Sequence, residues 1–461
     1  MLVKSGAAMP LDGLEAPRRY WAWATIIVTL VLAVLDGTIA NVALPTIAAD
    51  FHASPSISIW IVNGYQLAIV MTLLPFASLG EIYGYRKVYL AGVAVFTIAS
   101  LGCVLARSLE MLTAARIVQG FGAAGLMSVN TALLRYVVPK DKLGAAIGLN
   151  ALVVAAASTI GPTLAGFLLS VLDWPWLFAI NLPLGVIAIA MGWRSLPDND
   201  LADRRFDLVS AVLSAVTIGL VVTTIDSIGH EMPVAAIAAQ ALSCIAAATI
   251  LVRRELRVPR PLLPLDLLKI PVFSLSIATS VASFTAQILA YVSLPFTFQT
   301  IFGFPPVDVG LLMMPWPLAV GVAAPVAGKL SDRYSPGILG GVGLLLLTAG
   351  LLSLGLLPAH PAPADIVWRM VLCGIGFGLF QTPNNRTMIT AAPKIRSGAA
   401  SGMLGTARLT GQSVGAALVA LLLGRLGIHG AIGALYLGAA FSLVAAVISF
   451  SRTGRFRPQL T

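Results

Sequence analysis

Charged residues are scarce in this sequence of 461 residues, because only 10% of them are Asp, Glu, Lys or Arg. Soluble domains carry about 25% charged residues, so an ordinary soluble domain is excluded. Cysteine is scarce too, and Cys103, Cys244 and Cys373 lie in apolar runs without CxxC or metal-ligand spacing. The sequence has no phosphate-binding loop of the GxxxxGK(S/T) type and no nucleophile motif. It therefore predicts neither an enzyme nor a primary pump, and it indicates no metal or cofactor.

Apolar residues, in contrast, are abundant and lie in long runs. They make up 58% of the chain, and the mean hydropathy is +0.92. About 20 apolar residues are enough to cross a bilayer core as a helix, and only helices or closed barrels satisfy every backbone group in lipid. The alternation that is typical of barrel strands is missing from these runs. The predicted fold class is an all-α polytopic membrane protein.

Fourteen transmembrane helices are predicted from these runs. The first run follows Arg18 and Arg19, but it is long, contains Asp36 and precedes many more, so it is an uncleaved helix rather than a signal peptide. The stretches at 208–225 and 233–252 are the weakest as separate spans, and a bundle without this pair is the alternative. The predicted spans are 21–44, 59–79, 88–106, 109–134, 143–171, 176–193, 208–225, 233–252, 273–300, 307–327, 337–357, 366–385, 397–424 and 430–451.

Lysine and arginine are distributed unevenly between the loops on the two sides. Of the 29 such residues, Arg107 and Arg425 lie in the loops of one side, and Arg116, Arg369 and Arg408 lie within predicted spans. All the others lie in the loops of the opposite side, and short loops rich in Lys and Arg face the cytoplasm. Both termini are therefore predicted to be cytoplasmic. The same loops account for the net charge of +10, so nucleic-acid binding, which needs a basic soluble domain, is not predicted.

The two ends of the chain resemble each other at an offset of about 250 residues. Two parallel repeats with the substrate site between them are a known transporter plan, and this plan suits a monomer. The matching segments are LGEIY at 79–83 with LSDRY at 330–334, Arg116 with Arg369, and Gly148 with Gly402. The predicted organisation is a cytoplasmic segment 1–20, a six-helix half 21–195, a linker 196–270 with two inserted helices, a second six-helix half 271–452 and a cytoplasmic tail 453–461.

Several stretches carry a resemblance to a known family that covers essentially the whole chain. LDGTIANVALP at 35–45, ASLGEIYGYRK at 77–87, RIVQGFG at 116–122, GPTLAG at 161–166 and WPWLFAINLP at 174–183 are similar to motifs of the major facilitator superfamily, specifically its fourteen-spanner drug:proton antiporter branch. The resemblance implies the major facilitator fold, with two six-helix halves and two inserted helices. It also implies a location in the inner membrane of a bacterial cell.

The resemblance assigns cytoplasmic gating to the loop between the second and third helices and to its second copy. The first copy departs from the usual pattern, with Ala77 for glycine, Glu81 for aspartate and Ile82 for arginine, whereas the second copy keeps the usual residues. The departures put the strength of the first copy in doubt, not the fold. The residues concerned are Gly80, Glu81, Gly84, Arg86 and Lys87 in the first copy and Gly328, Asp332 and Arg333 in the second.

The fifth predicted helix contains the antiporter motif, which comprises Gly148, Gly161, Pro162 and Gly166. Proline removes one helical hydrogen bond, and small residues let helices approach closely. The resemblance links this segment to exchange and to the blocking of leak. Generic helix packing is the alternative interpretation.

Asp36 is the leading candidate for carrying the proton. A carboxylate inside a span is costly and marks a functional site by default. Arg116 is the natural partner, because helix geometry places both residues about 10–12 Å below the outer surface. Protonation of Asp36 would leave Arg116 uncompensated and favour a rearrangement. A permanent structural ion pair is the alternative.

Other polar residues inside the spans are candidates for the substrate cavity. Arg408 lies near mid-membrane with Gln412 one turn further on the same face, although Arg408 could instead bond backbone carbonyls of a neighbouring helix. Uncharged polar side chains can line a cavity or merely join helices. The candidates are Asn63, Gln66, Gln119, Asn150, Gln287, Gln381, Asn384, Arg408 and Gln412.

The leading functional hypothesis is export of an amphipathic organic compound, such as a drug, in exchange for protons. Proton-coupled uptake or efflux of a specific metabolite is the second hypothesis, because fold does not fix direction. A membrane sensor without transport is a third, but the linker 194–207 and the final ten residues are too short for a signalling domain. The predicted partners are the lipid bilayer, a small-molecule substrate and protons. The short outer loops do not indicate a periplasmic adaptor.

Overall fold

A computed structural model describes residues 13–203, 205–229, 232–258, 263–393 and 396–453 of the protein. Within these ranges the chain is helical and contains no β-strand. Most of the predicted segment 1–20 and nearly all of the predicted tail 453–461 lie outside the described residues. The helices are α1 (Arg18–Asp50), α2 (Pro55–Ser58), α3 (Trp60–Tyr83), α4 (Tyr85–Val104), α5 (Leu109–Val137), α6 (Lys140–Val171), α7 (Trp176–Ala179), α8 (Asn181–Ser195), α9 (Leu208–Gly229), α10 (Val234–Glu255), α11 (Pro271–Phe296), α12 (Pro306–Met313), α13 (Pro315–Leu330), α14 (Pro336–Gly355), α15 (Pro363–Ala391), α16 (Ser397–Leu426) and α17 (Gly430–Ser451).

Thirteen helical segments of the described chain are long and apolar enough to cross a membrane, whereas fourteen spans are predicted from the sequence. The difference lies in the last segment, Gly402–Ser451, whose 50 residues include most of α16 and all of α17. A straight helix of that length would measure about 75 Å, more than twice the roughly 30 Å of a hydrocarbon core. A short 3-10 turn at Gly427–His429 separates the two helices, and Gly427 has a φ of 59° that suits glycine.

The helices form two bundles that are joined by α9 and α10. In the N-terminal bundle, α1–α8, the closest neighbours are α4 with α5, α3 with α5, and α1 with α6. In the C-terminal bundle, α11–α17, they are α14 with α15, α13 with α15, α14 with α17, and α11 with α16 and α17. Helix α9 packs against both α3 and α16, so the inserted pair lies beside the seam between the bundles.

Contacts between the bundles close one end of the molecule. We call the end that holds Asp50 the outer end, following the predicted orientation. There the Gln299 amide donates to the Val42 carbonyl at 2.9 Å, and the Ser56 hydroxyl donates to the Ala420 carbonyl at 2.9 Å. Helices α6 and α12 also approach backbone to backbone at this end, since a Cβ on Gly166 would lie 2.5 Å from the Pro306 carbonyl oxygen.

A π-helical turn and a proline shape this closed end. The turn Thr297–Ile301 follows α11 and carries Gln299, and π-helical turns are rare and often lie at functional sites. Pro45 lies inside α1 and has no N–H for the carbonyl one turn back. The π-helical turn departs from regular α-helix, and Pro45 leaves one carbonyl of α1 without its helical N–H partner.

Candidate functional site

Asp36 lies on α1 and points into the interior of the N-terminal bundle, where only 2% of its surface is exposed. Arg116 on α5 donates from Nη1 to Oδ2 of Asp36 at 2.5 Å. The structure thus forms the pair that equal depth in the sequence made feasible. In a low-dielectric interior the two charges are screened far less than at a surface, and loss of either partner would leave the other uncompensated.

Two amides complete the shell around the carboxylate. Gln119 lies one turn beyond Arg116 on α5 and donates to Oδ1 of Asp36 at 2.9 Å, and Asn181 at the start of α8 donates to the same oxygen at 2.9 Å. Gln119 also donates to the Ser100 hydroxyl on α4 at 2.8 Å. All the partners of Asp36 are donors, so the arrangement fits a carboxylate that has released its proton.

Arg116 is held by more than its ion pair. Its side chain is fully buried, its Nε donates to the Ile61 carbonyl of α3 at 3.1 Å, and its guanidinium lies 4.1 Å from the centre of the Tyr65 ring. The Phe178 ring of α7 lies 5.4 Å away, and aromatic faces attract a guanidinium at these distances. The ion pair and the contacts of Arg116 therefore connect α1, α3, α5 and α7. A rearrangement of the pair would change the contacts of all four helices.

Sequence reasoning did not include Asn181, Tyr65 or Ser100 among the site residues. Asn181 lies in a stretch that carries the family resemblance, and this was a usable signal. The sequence carries no comparable signal for Tyr65 and Ser100. Their roles depend on which face of α3 and which face of α4 packs against α5.

Asp36 does not face the space between the two bundles. Thr38 and Asn41 of α1 line a small cavity there, together with Ser158 of α6 and Tyr291 of α11. At about 100° per residue, Asp36 and Thr38 are about 160° apart around α1. The expected proton site and the space between the bundles therefore lie on opposite faces of the same helix.

Arg408 of α16 is the one basic candidate near mid-membrane outside the N-terminal bundle. Its side chain is partly exposed, and its buried Nε has no hydrogen-bond partner within the described ranges. Gln412, one turn further on, is also partly exposed. The alternative role, a hydrogen bond from Arg408 to a neighbouring backbone carbonyl, is not formed here.

The remaining cavity candidates apart from Asn384 fall into two groups. Asn63 is 1% exposed and neither atom of its amide has a partner in the described structure, and the carbonyl oxygens of Gln66 and Asn150 are likewise buried and unpartnered. Gln287 and Gln381 are partly exposed on α11 and α15. A buried amide without a hydrogen-bond partner costs free energy. A ligand that supplied hydrogen bonds would therefore stabilise the first group more than the second.

Asn384 differs from this set because its amide is already occupied inside the C-terminal bundle. It donates to the Ser280 hydroxyl at 2.8 Å and accepts from Arg452 at 2.5 Å. Arg452 also donates to the hydroxyls of Ser276 and Ser449, each at 2.7 Å. The structure therefore places Asn384 in a network that joins α11, α15 and α17, away from the cavity.

The antiporter motif lies on α6 where this helix meets its neighbours. A Cβ on Gly161 would collide with the Thr38 side chain of α1, and Gly166 faces Pro306 of α12. Pro162 lies inside α6 and lines the cavity between the bundles. Gly148 is also on α6, but its surroundings fall outside the described residues. The motif therefore lies where α6 packs closely against α1 of its own bundle and α12 of the C-terminal bundle.

The two gating motifs bind within their own bundles. Arg86 donates to the Trp193 carbonyl and pairs with Asp198 at 3.5 Å. In the second copy, Asp332 accepts from Arg386 at 2.6 Å. The other motif residues lie in the same connections: Gly80 packs against Val129 and Tyr85, Gly84 ends α3 with a φ of 109°, the Glu81 carbonyl accepts from the Ala202 amide, Lys87 lies in α4, Gly328 lies in α13, and Arg333 follows α13.

A model of the Major Facilitator Superfamily matches residues 26–416, most of the chain. The protein belongs to the Major Facilitator Superfamily. Among curated relatives of this superfamily, the uncharacterised transporter YebQ of Escherichia coli is 54% identical over 95% of this chain and 96% of its own length. The riboflavin transporter RibZ of Clostridioides difficile is 30% identical over 86% and 87%. The multidrug efflux pump LfrA of Mycolicibacterium smegmatis is 31% identical over 87% and 81%. This major facilitator protein is therefore a multi-pass membrane transporter and not an enzyme.

Solved structures support the same fold at low sequence identity. A bacterial homologue of the lysosomal transporter Spinster, in an inward-facing and unoccupied conformation, gives a TM-score of 0.69 at 14% identity, covering 96% of this chain and 98% of its own. A POT family transporter in complex with 5-aminolevulinic acid gives 0.72 at 15% identity, covering 97% and 98%. The major facilitator fold predicted from the motifs is confirmed.

The two halves of the major facilitator repeat are not chemically equivalent. Arg369 on α15 matches Arg116 in sequence, but it pairs with Asp365 one turn away at 3.2 Å and donates to the Ser353 carbonyl at 2.9 Å. Its carboxylate partner lies on its own helix, whereas Asp36 reaches Arg116 from another helix. The inter-helix ion pair with its amide shell is thus a feature of the N-terminal bundle.

Proposed function

We propose that the protein is a proton-coupled exporter of amphipathic organic compounds, including drugs, which works by alternating access. The observation that carries this proposal is the buried Asp36–Arg116 pair with its shell of donors from α5 and α8. A titratable acid on α1 that is bonded to α5 and α8, and whose partner Arg116 contacts α3 and α7, can couple a proton to helix movement. Multidrug efflux pumps among the relatives support the substrate class.

The proposed cycle starts from the closed outer end described above, with Asp36 paired with Arg116. The Spinster homologue of similar fold is inward-facing and unoccupied, which supports an inward-open assignment. Substrate enters the space between the bundles from the cytoplasm. Outward opening then exposes Asp36 to periplasmic protons, and its protonation removes the countercharge of Arg116 and frees the carbonyl-bound guanidinium to move. Return to the closed outer end restores the pair and releases the proton inward.

Because Asp36 and the cavity lie on opposite faces of α1, the proton and the substrate would not compete for the same atoms. Coupling would instead run through the position of α1, which contacts α6 and α8 in its own bundle and α11 in the other. A ligand shifts such an equilibrium only by its differential affinity for the two states. The proton and the substrate would each favour one state.

Transport of a specific metabolite is a second candidate, supported by the 30% identity to a riboflavin transporter. On either candidate we propose both termini in the cytoplasm, a monomer, and fourteen spans with α16 and α17 crossing separately. The halves would be 21–195 and 271–452, with the linker 196–270 between them and short cytoplasmic ends at 1–20 and 453–461. The gating motifs at Arg86 and Asp332 would bind across the bundles only in the outward-open state.

The experiment uses purified protein in liposomes that contain a pH-sensitive dye. A proton gradient is imposed, cationic, neutral and anionic amphiphiles are added together with riboflavin, and the assay is repeated with Asp36→Asn. Asp308→Asn is the matched control, because Asp308 is exposed in the first turn of α12. We expect substrate-dependent proton movement in the wild type and the control and none in Asp36→Asn. Proton movement of equal size in Asp36→Asn would overturn the assignment.

A further inference from the structure

The direction of the Arg408 side chain follows from its neighbours on α16. A Cβ on Gly411 would lie 2.5 Å from the Val281 carbonyl oxygen, so that face meets α11 of the C-terminal bundle. A Cβ on Gly405 would lie 3.5 Å from Leu73, so the second face meets α3 of the N-terminal bundle. At about 100° per residue, Arg408 lies between these two faces. It therefore points into the space between the bundles.

Exposure along α16 agrees with this direction. Arg408 and Gln412 are partly exposed, whereas Leu409 and Gly411 on the flanking faces are buried. Arg408 is about 16 Å along α16 from Ser397, which is about half of a hydrocarbon core of roughly 30 Å. The stripe of Arg408 and Gln412 is therefore a polar surface near mid-membrane.

Arg408 has no countercharge in the described structure. It makes no hydrogen bond or ion pair there, and its Nε is buried without a partner. The two buried guanidinium groups of the described chain have partners, because Arg116 pairs with the Asp36 carboxylate at 2.5 Å and Arg452 donates to Ser276, Asn384 and Ser449. A charge inside a membrane pairs with another group or marks a substrate pathway. Arg408 differs from both, because it lacks a partner within the described residues.

Acidic side chains are also absent from this space within the described chain. Asp36 faces the opposite side of α1 and both of its oxygens are occupied. The other acids on the spanning helices whose side chains the structure describes lie within about one turn of a helix end, namely Asp50, Glu81, Glu110, Asp226, Glu255, Asp308 and Asp365. The fixed charge that the protein presents to a substrate near mid-membrane is therefore positive.

We propose that the transported amphiphile is an organic anion whose acidic group pairs with Arg408 and bonds the Gln412 amide. A guanidinium binds a carboxylate through two parallel N–H···O bonds. This inference names the substrate class of the exporter proposed above and rests on that function. It predicts discrimination against lipophilic cations.

The test measures equilibrium binding to the detergent-purified protein, so it needs neither a proton gradient nor transport. Three matched sets of ligands are used, built on naphthalene, anthracene and coumarin. Within each set the members have the same apolar ring system and differ only in carrying a carboxylate, a carboxamide or an ammonium group. Binding is read from quenching of tryptophan fluorescence in gluconate buffer and again in chloride buffer. The variants are Arg408→Gln and Arg408→Lys. Arg425→Gln is the control, because Arg425 is exposed at the outer end of the same helix.

We expect the wild type to bind each carboxylate at least tenfold more tightly than its ammonium counterpart. Arg408→Gln should weaken carboxylate binding by 10- to 100-fold and leave the carboxamide within about twofold, since only the charge-assisted bonds are lost. Arg408→Lys should retain part of the preference, and Arg425→Gln all of it.

The wild-type comparison tests the inference even if Arg408→Gln does not fold. Equal or tighter binding of the ammonium members would overturn it. Failure of every member of the sets to bind would overturn it as well. Competition by chloride without preference for the organic carboxylate would assign the positive charge to an inorganic anion and would also overturn it. Proton-coupled transport of a cation in liposomes would leave the exporter standing and reject the anion.

Discussion

Replacement of Gly166 by alanine should open the outer end of the transporter. Gly166 on α6 faces the backbone of α12, where an added Cβ would lie 2.5 Å from the Pro306 carbonyl oxygen and 3.0 Å from Cα of Val307. Ordinary contacts begin at 3.4 Å, so the two helices must separate by about 1 Å at this point. The neighbouring atoms are backbone and cannot rotate away as a flexible side chain would.

The size of the effect follows from the cost of overpacking. One extra methyl group in a tightly packed contact costs about 1–3 kcal/mol, which corresponds to a shift of about 5- to 150-fold in a two-state equilibrium. The cost applies only while the outer end is closed. Glycine-to-alanine replacement also favours the helix itself by about 0.5–1 kcal/mol, and a control glycine on another helix removes this term from the comparison.

The assay is electron–electron resonance between spin labels at Leu172 and Leu356, exposed positions at the outer ends of the two bundles, after replacement of the three cysteines by alanine. Gly321→Ala is the matched control, since a Cβ on Gly321 of α13 would meet nothing within 4 Å. We expect a longer-distance population in Gly166→Ala and no change in Gly321→Ala. Identical distance distributions in both variants would refute the argument that this contact closes the outer end.

Three further outcomes follow from the contacts described above. Gln299→Ala removes a 2.9 Å bond across the outer end, so the long-distance population of the same spin-label pair should rise by about 2- to 13-fold, the equivalent of a net hydrogen bond of 0.5–1.5 kcal/mol; no rise would contradict this. Asn181→Ala removes one donor from a buried carboxylate, and its free energy of unfolding should fall by about 1–3 kcal/mol, measured by denaturation in detergent and compared with the exposed control Asp308→Asn; equal stabilities would speak against the shell. Arg86→Ala breaks an ion pair with the largely exposed Asp198, so the change in unfolding free energy should stay below about 1 kcal/mol, and a larger loss would show that the motif carries more of the stability.

The sequence was sufficient to predict the fold because its main signals are long-range and redundant. Apolar runs give the spans, and the motifs near Asp36, Gly80 and Gly161 belong to a family whose fold is shared across the chain. The two bundles and the inserted pair follow from that membership. The α16–α17 segment was divided correctly from the sequence, because Arg425, Gly427 and His429 interrupt the apolar run, and the structure places a 3-10 turn at Gly427–His429 between the two helices.

The site could be predicted only in part. Counting residues from the predicted helix ends indicated that Asp36 and Arg116 could meet, and the pair is formed, although α1 continues to Asp50, beyond the predicted end at residue 44. The face that each residue presents could not be read from spacing, because this face depends on how α1 packs on its neighbours. For the same reason Asn384 resembled a cavity residue in the sequence, although Arg452 reaches it from the end of α17.

Coupling between the proton on Asp36 and helix movement is the central claim, and the pH dependence of the outer-end distance tests it most directly. The Leu172–Leu356 spin-label distance is measured across a pH series in wild type, Asp36→Asn and the control Asp308→Asn. The account predicts that acidification lengthens the distance in the wild type and the control, and that Asp36→Asn shows the long distance at every pH. A distance that still changes with pH in Asp36→Asn, with the same midpoint as in the wild type, would contradict it.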